Sequence, residues 1–321
     1  MRDFKYVRAT TVDEAVSALS IDNSAVVAGG TALLNYLKAM VSPNAPDVLV
    51  DIKSIPDLRV LKEEGGMLKI GALVKLADIA ESPLVQDRYT ALAEAARRAG
   101  TPQLRNMGTI GGNICQFVRC WYYRAEHNAF PCLRKNPIGA CYALNGDNRY
   151  HSIFGAVNGC MAVNPSNTAP ALVALNAKIK TSKRTVNAED FFAVNGEKTT
   201  VIYDDELVTE IQIPTPTNGT KSAFLKFALR KAFDFPIVNC AVVIRCEGDT
   251  VMIARICLNA VYNVPYRATA AEEALIGKSI DESSAESAGI AAASRANALT
   301  HNKYMIKIAK TVVKRAILAC R

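Results

Sequence analysis

Five of the nine cysteines, Cys115, Cys120, Cys132, Cys141 and Cys160, fall within 46 residues, in a stretch with almost no helical or strand period. Residues 116–159 also hold the only tryptophan, several tyrosines and many charges. A loop of that length inside a compact domain is uncommon unless it is functional or disordered. Disorder fits poorly, because disordered segments lack aromatic residues. Something other than an apolar core therefore has to hold this segment together.

The start, Met1-Arg2-Asp3-Phe4-Lys5, lacks the apolar core of a secretory signal. The expected compartment is the cytoplasm, where cysteines are reduced thiols, metal ligands or catalysts rather than a disulfide framework. Cys240, Cys246, Cys257 and Cys320 sit in apolar surroundings and read as small buried hydrophobes. Cys120, Cys132, Cys141 and Cys160 are 12, 9 and 19 residues apart. Four thiolates can hold a [4Fe–4S] cluster or a single zinc. The chain has neither the CxxC pairs of a zinc ribbon nor the CxxCxxC run of a bacterial ferredoxin. Spacing alone leaves the metal open, and free thiols are the plainer alternative. Cys115 is the spare, expected to pack near a cofactor without binding metal. His127 and His151, in the same loop, read as solvated polar residues.

On either side of the loop the chain is regular. Strands are expected at Ser24–Ala28, 48–52 and 67–73, with helical spacing from Leu33 to Met40 and over 90–99, where Gly100 can end the helix. After the loop come a helix at 169–177 and strands near 178–181, 199–203 and 207–213. Pro214-Thr215-Pro216-Thr217-Asn218-Gly219 is the clearest linker. Three strands (222–230, 236–246, 250–262) and three helices (268–277, 283–298, 303–319) follow. This is an α+β layout with a boundary near 218.

Two glycine turns stand out: Val27-Ala28-Gly29-Gly30-Thr31-Ala32-Leu33-Leu34, which leads into a helix, and Thr109-Ile110-Gly111-Gly112-Asn113. Glycines let backbone N–H groups approach an anion, and a helix N-terminus adds partial positive charge, so a diphosphate suits such a turn. Neither turn is a Rossmann fingerprint or a P-loop, and a Gly-Gly pair alone is more often a plain turn.

Other classes are set aside. The net charge of +8 is spread along the chain, with only short clusters such as Lys180-Thr181-Ser182-Lys183-Arg184 and no nucleic-acid-binding signature. No run approaches a membrane span. With three histidines and no triad, HExxH or paired carboxylates, hydrolytic chemistry has few candidate bases.

Together the motifs resemble the flavin subunit of the xanthine oxidase, or molybdenum hydroxylase, family. The two glycine turns resemble its FAD-diphosphate loops, Pro165-Ser166-Asn167-Thr168-Ala169-Pro170-Ala171-Leu172 its PSD-x-APAL stretch, and Lys226, Arg230 and Asp234 its K-x-x-x-R-x-x-x-D strand. The inserted loop is similar to the one that carries an extra [4Fe–4S] cluster in 4-hydroxybenzoyl-CoA reductase and certain bacterial aldehyde oxidoreductases. The resemblance implies an FAD-binding domain of the PCMH/vanillyl-alcohol-oxidase type over 1–218, with the insertion at about 115–160. An α+β domain of the CO dehydrogenase flavoprotein type, with a three-stranded antiparallel sheet and helices, would cover 219–321. It implies that Val27, Ala28, Gly29, Gly30, Thr31, Ala32, Leu33, Leu34, Thr109, Ile110, Gly111, Gly112 and Asn113 bind the diphosphate. Asn167, Leu207 and Lys226 would contact the rest of FAD, and Cys120, Cys132, Cys141 and Cys160 would ligate the cluster.

It further implies partner subunits carrying a molybdenum cofactor and two [2Fe–2S] clusters, in a heterotrimer or a dimer of heterotrimers. The external electron carrier would be one such as ferredoxin or NAD. The chain departs from the family at Ala32 and Asn167, where aspartate is usual. Restoring Asp at 167 is expected to tighten FAD. The expected function is electron transfer in a 4-hydroxybenzoyl-CoA reductase-like enzyme, or in an aldehyde or heterocycle (xanthine-type) oxidoreductase. A zinc-stapled scaffold without redox function and a self-contained flavin oxidoreductase are the readings from other classes.

Overall fold

The alternation at the start of the chain folds as a small parallel sheet in the computed structural model, which describes residues 1–321. Strands β1 (Lys5–Arg8) and β2 (Ser24–Val27) both pair in parallel with β3 (Val48–Asp51). Every residue of β3 is buried, as a central strand requires. Helix Val12–Leu19 covers one face with Ala15, Ala18 and Leu19, and the Thr11 hydroxyl accepts from Glu14 N (3.1 Å) at its start.

The second sheet joins segments far apart in sequence. It contains β4 (Leu61–Glu64), β5 (Met67–Gly71), β6 (Lys178–Thr181) and β7 (Thr185–Asn187). A separate hairpin, β8 (Phe192–Asn195) and β9 (Lys198–Thr200), precedes the central strand β10 (Val208–Pro214). The order is β4-β5-β10-β6-β7, so β10 closes the sheet by pairing antiparallel with both β5 and β6. Helices Leu76–Glu81, Thr90–Arg97 and Thr168–Ala174 contribute to a core of 35 buried residues with this sheet. The expected strand at 199–203 is shortened to β9, which turns back on β8 instead of joining the sheet.

The C-terminal sheet has four strands where three were expected. β11 (Thr220–Phe227), β12 (Val238–Glu247) and β13 (Thr250–Asn259) form an antiparallel meander, extended by β14 (Tyr266–Arg267). Two residues are too few to show a period of two, so β14 has no sequence signature. β12 is apolar almost throughout because both its faces are covered. Ala241 and Val243 face the core shared with helices Leu76–Glu81, Thr90–Arg97 and Thr168–Ala174, while Cys240, Val242 and Ile244 face helices Thr269–Leu275, Glu282–Ala292 and Tyr304–Leu318. Cys240, Cys257 and Cys320 are buried as expected, and Cys246 packs half-buried against the same core.

The irregular loop is anchored to the C-terminal domain near its end. Asn302 donates to the carbonyls of His151 and Ser152 (both 3.0 Å), and Ile153 enters the C-terminal core. No helix is long and apolar enough to cross a membrane.

Leu172 is fully buried on helix Thr168–Ala174, where flavin-side and C-terminal layers meet. Leu172→Ala is expected to cost about 3 kcal/mol through lost burial and a residual cavity. Urea denaturation would show this as a lower midpoint with an unchanged slope.

Candidate functional site

The two glycine turns meet at the wall of a cavity of about 460 Å³. Gly30 has φ +71°, which brings the chain out of β2 and into helix Leu33–Lys38. Gly29 is constrained differently. A Cβ there would lie 2.0 Å from the Met107 carbonyl oxygen, so the first turn is stacked directly on the backbone leading into the second. In the second turn the Thr109 hydroxyl accepts from Gly112 N (3.1 Å). The helices behind the turns span only six and five residues. Their dipoles are correspondingly small, and an anion here would be held mainly by local N–H groups.

Ala28, Gly29, Gly30, Thr31, Ala32 and Leu33 line the cavity, as do Thr109, Gly111, Gly112, Asn113 and Leu207. Val27 and Ile110 are buried in the supporting cores, and Leu34 is exposed outside the lining. Cys115 lines the cavity too, consistent with a thiol beside a cofactor rather than on a metal, and burial pushes it up to about 12.

Asn167 and Lys226 do not line it. The Asn167 side chain accepts from Asn239 Nδ2 (3.5 Å) in the seam with the C-terminal sheet. Its neighbours Ser166 and Thr168 donate to Asn113 Oδ1 (2.6 and 2.7 Å), which ties this segment to the cavity wall. The Lys226 ammonium donates to the carbonyls of Arg98 (2.9 Å) and Asp234 (2.6 Å), and burial pushes it down to about 8. Arg230 forks onto the Asp234 carboxylate, closing the turn that holds Lys226.

Cys120, Cys132, Cys141 and Cys160 all line a second, much smaller pocket of about 10 Å³. Tyr122, Tyr123, Leu133, Tyr142 and Ala143 complete most of its apolar walls; Trp121 lies behind, with its indole donating to Asp147 O (2.9 Å). The Tyr123 and Ala162 amides point at the sulfurs of Cys120 and Cys160 (3.5 and 3.4 Å). No three cysteine, histidine or carboxylate groups converge closely enough for one metal ion. Burial, ahead of the other thiols nearby, pushes Cys120 up to about 12, and burial likewise raises Cys141.

His151 departs from the expectation of a solvated loop residue. It is 1% exposed, its Nε2 lies 3.2 Å from Cys120 Sγ, and its Nδ1 has no partner. Burial lowers it to about 4, so the ring is neutral. His127, by contrast, is exposed. Two buried cations were not anticipated either. Arg134 and Lys135 are 3% and 7% exposed, and their polar hydrogens reach carbonyls, the Asn128 amide and the Cys160 sulfur, with no carboxylate. Their signal was their place two and three residues after Cys132.

An aromatic wall stands between the two pockets. Tyr36 and Phe117 line the larger cavity and stack at 4.1 Å; Tyr123 lines the cysteine pocket, 6.2 Å from Tyr36. Glu197, at the tip of the β8–β9 hairpin, joins them. Its Oε2 accepts from Tyr36 OH (2.7 Å) and Tyr123 OH (2.8 Å), and its Oε1 accepts from Ser42 Oγ (2.6 Å). Burial and then the Glu197 charge raise Tyr36, which keeps it protonated as a donor.

Residues 2–216 match the FAD binding domain in molybdopterin dehydrogenase, and residues 223–320 match the CO dehydrogenase flavoprotein C-terminal domain. The chain belongs to the FAD-binding medium subunits of the molybdenum hydroxylases. It is 31% identical to the aldehyde oxidoreductase FAD-binding subunit PaoB of Escherichia coli, over 86% of each chain. It is 32% identical to the carbon monoxide dehydrogenase medium chain of Hydrogenophaga pseudoflava, over 90% of this chain and 85% of the relative. A solved structure of carbon monoxide dehydrogenase from the same organism, lacking the Mo-pyranopterin moiety of its cofactor, superimposes with a TM-score of 0.77 at 30% identity. That match covers 99% of this chain and 97% of the other. The fold is therefore the FAD-binding architecture of this family with its C-terminal domain, and the chain is an FAD-binding subunit of an oxidoreductase.

Two outcomes follow from this geometry. Gly29→Ala is expected to lose flavin, read by absorbance of the purified protein, because its Cβ collides with backbone that a side-chain rotation cannot move. Glu197→Ala leaves three hydroxyls without an acceptor. It is expected to lower stability by on the order of 3 kcal/mol in chemical denaturation, with Glu197→Gln less affected.

Proposed function

We propose that this chain is the electron-transfer subunit of a heteromeric molybdenum hydroxylase, holding FAD in the larger cavity and a [4Fe–4S] cluster on Cys120, Cys132, Cys141 and Cys160. Residues 1–218 are read as the flavin-binding domain with its cluster insertion, and 219–321 as the C-terminal domain. The observation that carries the cluster reading is the pairing of four cysteines around one pocket with two buried cations that have no carboxylate. Burying an unpaired charge is costly, so the site calls for a buried anion. Four thiolates around an iron–sulfur core are doubly negative and supply it. A single zinc with four thiolates has the same charge, and metal analysis of the purified protein separates the two.

In this reading the turns at Ala28–Leu33 and Thr109–Asn113 hold the diphosphate through backbone N–H groups. Ala32 supplies no side-chain charge, which leaves that work to the backbone. Leu207 packs on the cofactor from the cavity wall, while Asn167 and Lys226 act from the seam that Asn113 joins to the cavity. Bound FAD and cluster supply one- and two-electron redox chemistry; the protein positions them and excludes water. Tyr122, Tyr123 and Tyr142 keep the sulfurs in an apolar wall, and amides from Tyr123 and Ala162 donate to them.

Substrate would react on a molybdenum subunit, with a [2Fe–2S] subunit between it and this chain and an external carrier such as ferredoxin or NAD. The aldehyde and carbon monoxide relatives favour an aldehyde-oxidoreductase type of complex over a 4-hydroxybenzoyl-CoA reductase type.

Anaerobically purified protein is expected to show flavin bands over a broad shoulder near about 400 nm, with about one FAD and about four irons per chain. Cys132→Ser should lose iron and keep flavin, and Cys115→Ser should keep both. Zinc in place of iron would establish the zinc-stapled reading, and full iron in Cys132→Ser would remove the proposed ligand set.

A further inference from the structure

Arg134 reaches from the cysteine pocket to the flavin cavity, and nothing in the preceding reading requires it to. One edge of its guanidinium, Nη1, lies 3.9 Å from Cys160 Sγ. The other, Nη2, donates to the carbonyls of Lys198 (2.7 Å) and Glu197 (3.3 Å). Those two residues form the hairpin tip that lines the flavin cavity and carries the Tyr36–Tyr123 contact. The side chain is 3% exposed and its Nε has no partner. The carbonyls fix its position without neutralising it.

We propose that Arg134 is a positioning residue that sets the reduction potential of the cysteine-held cluster and fixes it against the wall shared with the flavin cavity. The proposal rests on the [4Fe–4S] reading. The physical argument is charge. Taking up an electron makes the sulfur-ligated group more negative, and a cation held a few ångströms away in a low-dielectric pocket favours that state. Iron–sulfur potentials respond to nearby charge, to hydrogen bonds on sulfur and to exposure. Lys135 is the other buried cation, but its ammonium is turned onto Asn128 Oδ1 (3.0 Å) and the Phe130 carbonyl (3.4 Å). His151 touches a different sulfur, that of Cys120. Arg134 is thus the cation that contacts a ligand sulfur and the flavin-side wall together.

The test is a redox titration of the enzyme purified with its partner subunits, following the [4Fe–4S] signal by electron paramagnetic resonance and the flavin optically. Arg134→Gln keeps hydrogen-bonding capacity and removes the charge. At the wild-type midpoint it is expected to raise the oxidised-to-reduced ratio of the cluster about tenfold, a shift of about 59 mV downward for a one-electron couple. Arg134→Lys restores the charge and should recover most of that shift, which a purely structural role would not predict. An unmoved midpoint in Arg134→Gln with full iron, or Arg134→Lys behaving as Arg134→Gln, would overturn the assignment. If Arg134→Gln fails to retain iron, Arg134→Lys decides alone: full iron with a near-wild-type midpoint supports the proposal, and a tenfold displacement overturns it. Wild-type protein without iron would overturn the cluster reading itself, and this assignment with it.

Discussion

The Glu197 carboxylate, at the tip of a two-stranded hairpin, gathers parts of the chain that are far apart in sequence. Its two oxygens accept from Tyr36 and Ser42 near the N-terminus and from Tyr123 at the start of the cysteine loop. Its own carbonyl accepts from Arg134 further along that loop. Each bond alone contributes about 1 kcal/mol. Their joint effect is geometric, because one short hairpin fixes the wall between the two pockets and so the separation of whatever they hold.

The flavin cavity depends on a second close contact, the stacking of Gly29 on the Met107 carbonyl. This lets a turn following a parallel strand and a turn following a helix present their amides to one space. The supporting sheets are built for permanence: β10 is zipped on both sides, and the C-terminal sheet is covered on both faces. The cysteine loop contrasts with them. It has little regular structure, and it is held by side-chain hydrogen bonds, by Asn302 from the C-terminal domain and by the hairpin. Against the sequence-based expectation it also has an apolar core, in which Val118, Cys120, Tyr123, Cys132 and Cys160 pack with Val27, Leu37 and Leu49.

Long periodic segments were legible in the sequence. Helix Thr90–Arg97, strand β5 and the β11–β13 meander fall where their apolar runs place them, because those residues are buried on one face or, in β12, on both. The two glycine turns and the grouping of four cysteines were legible as well, since the turns line one cavity and the four cysteines one pocket. β14, the β8–β9 hairpin and the pairing of β5 with β10 were not, because short strands show no period and pairing partners lie far apart in the chain.

What the sequence by itself determined is the inventory: an FAD-binding family, turns able to approach a diphosphate, and thiols in excess of any plain structural need. Only the tertiary structure decided that Cys120, Cys132, Cys141 and Cys160 share one pocket, that Asn167 and Lys226 stand outside the cavity lining, and that His151 and Arg134 are buried against the sulfurs of Cys120 and Cys160. The reason is physical. Residue type fixes what chemistry a side chain can perform, whereas burial, neighbouring charge and distance arise only when remote segments pack together.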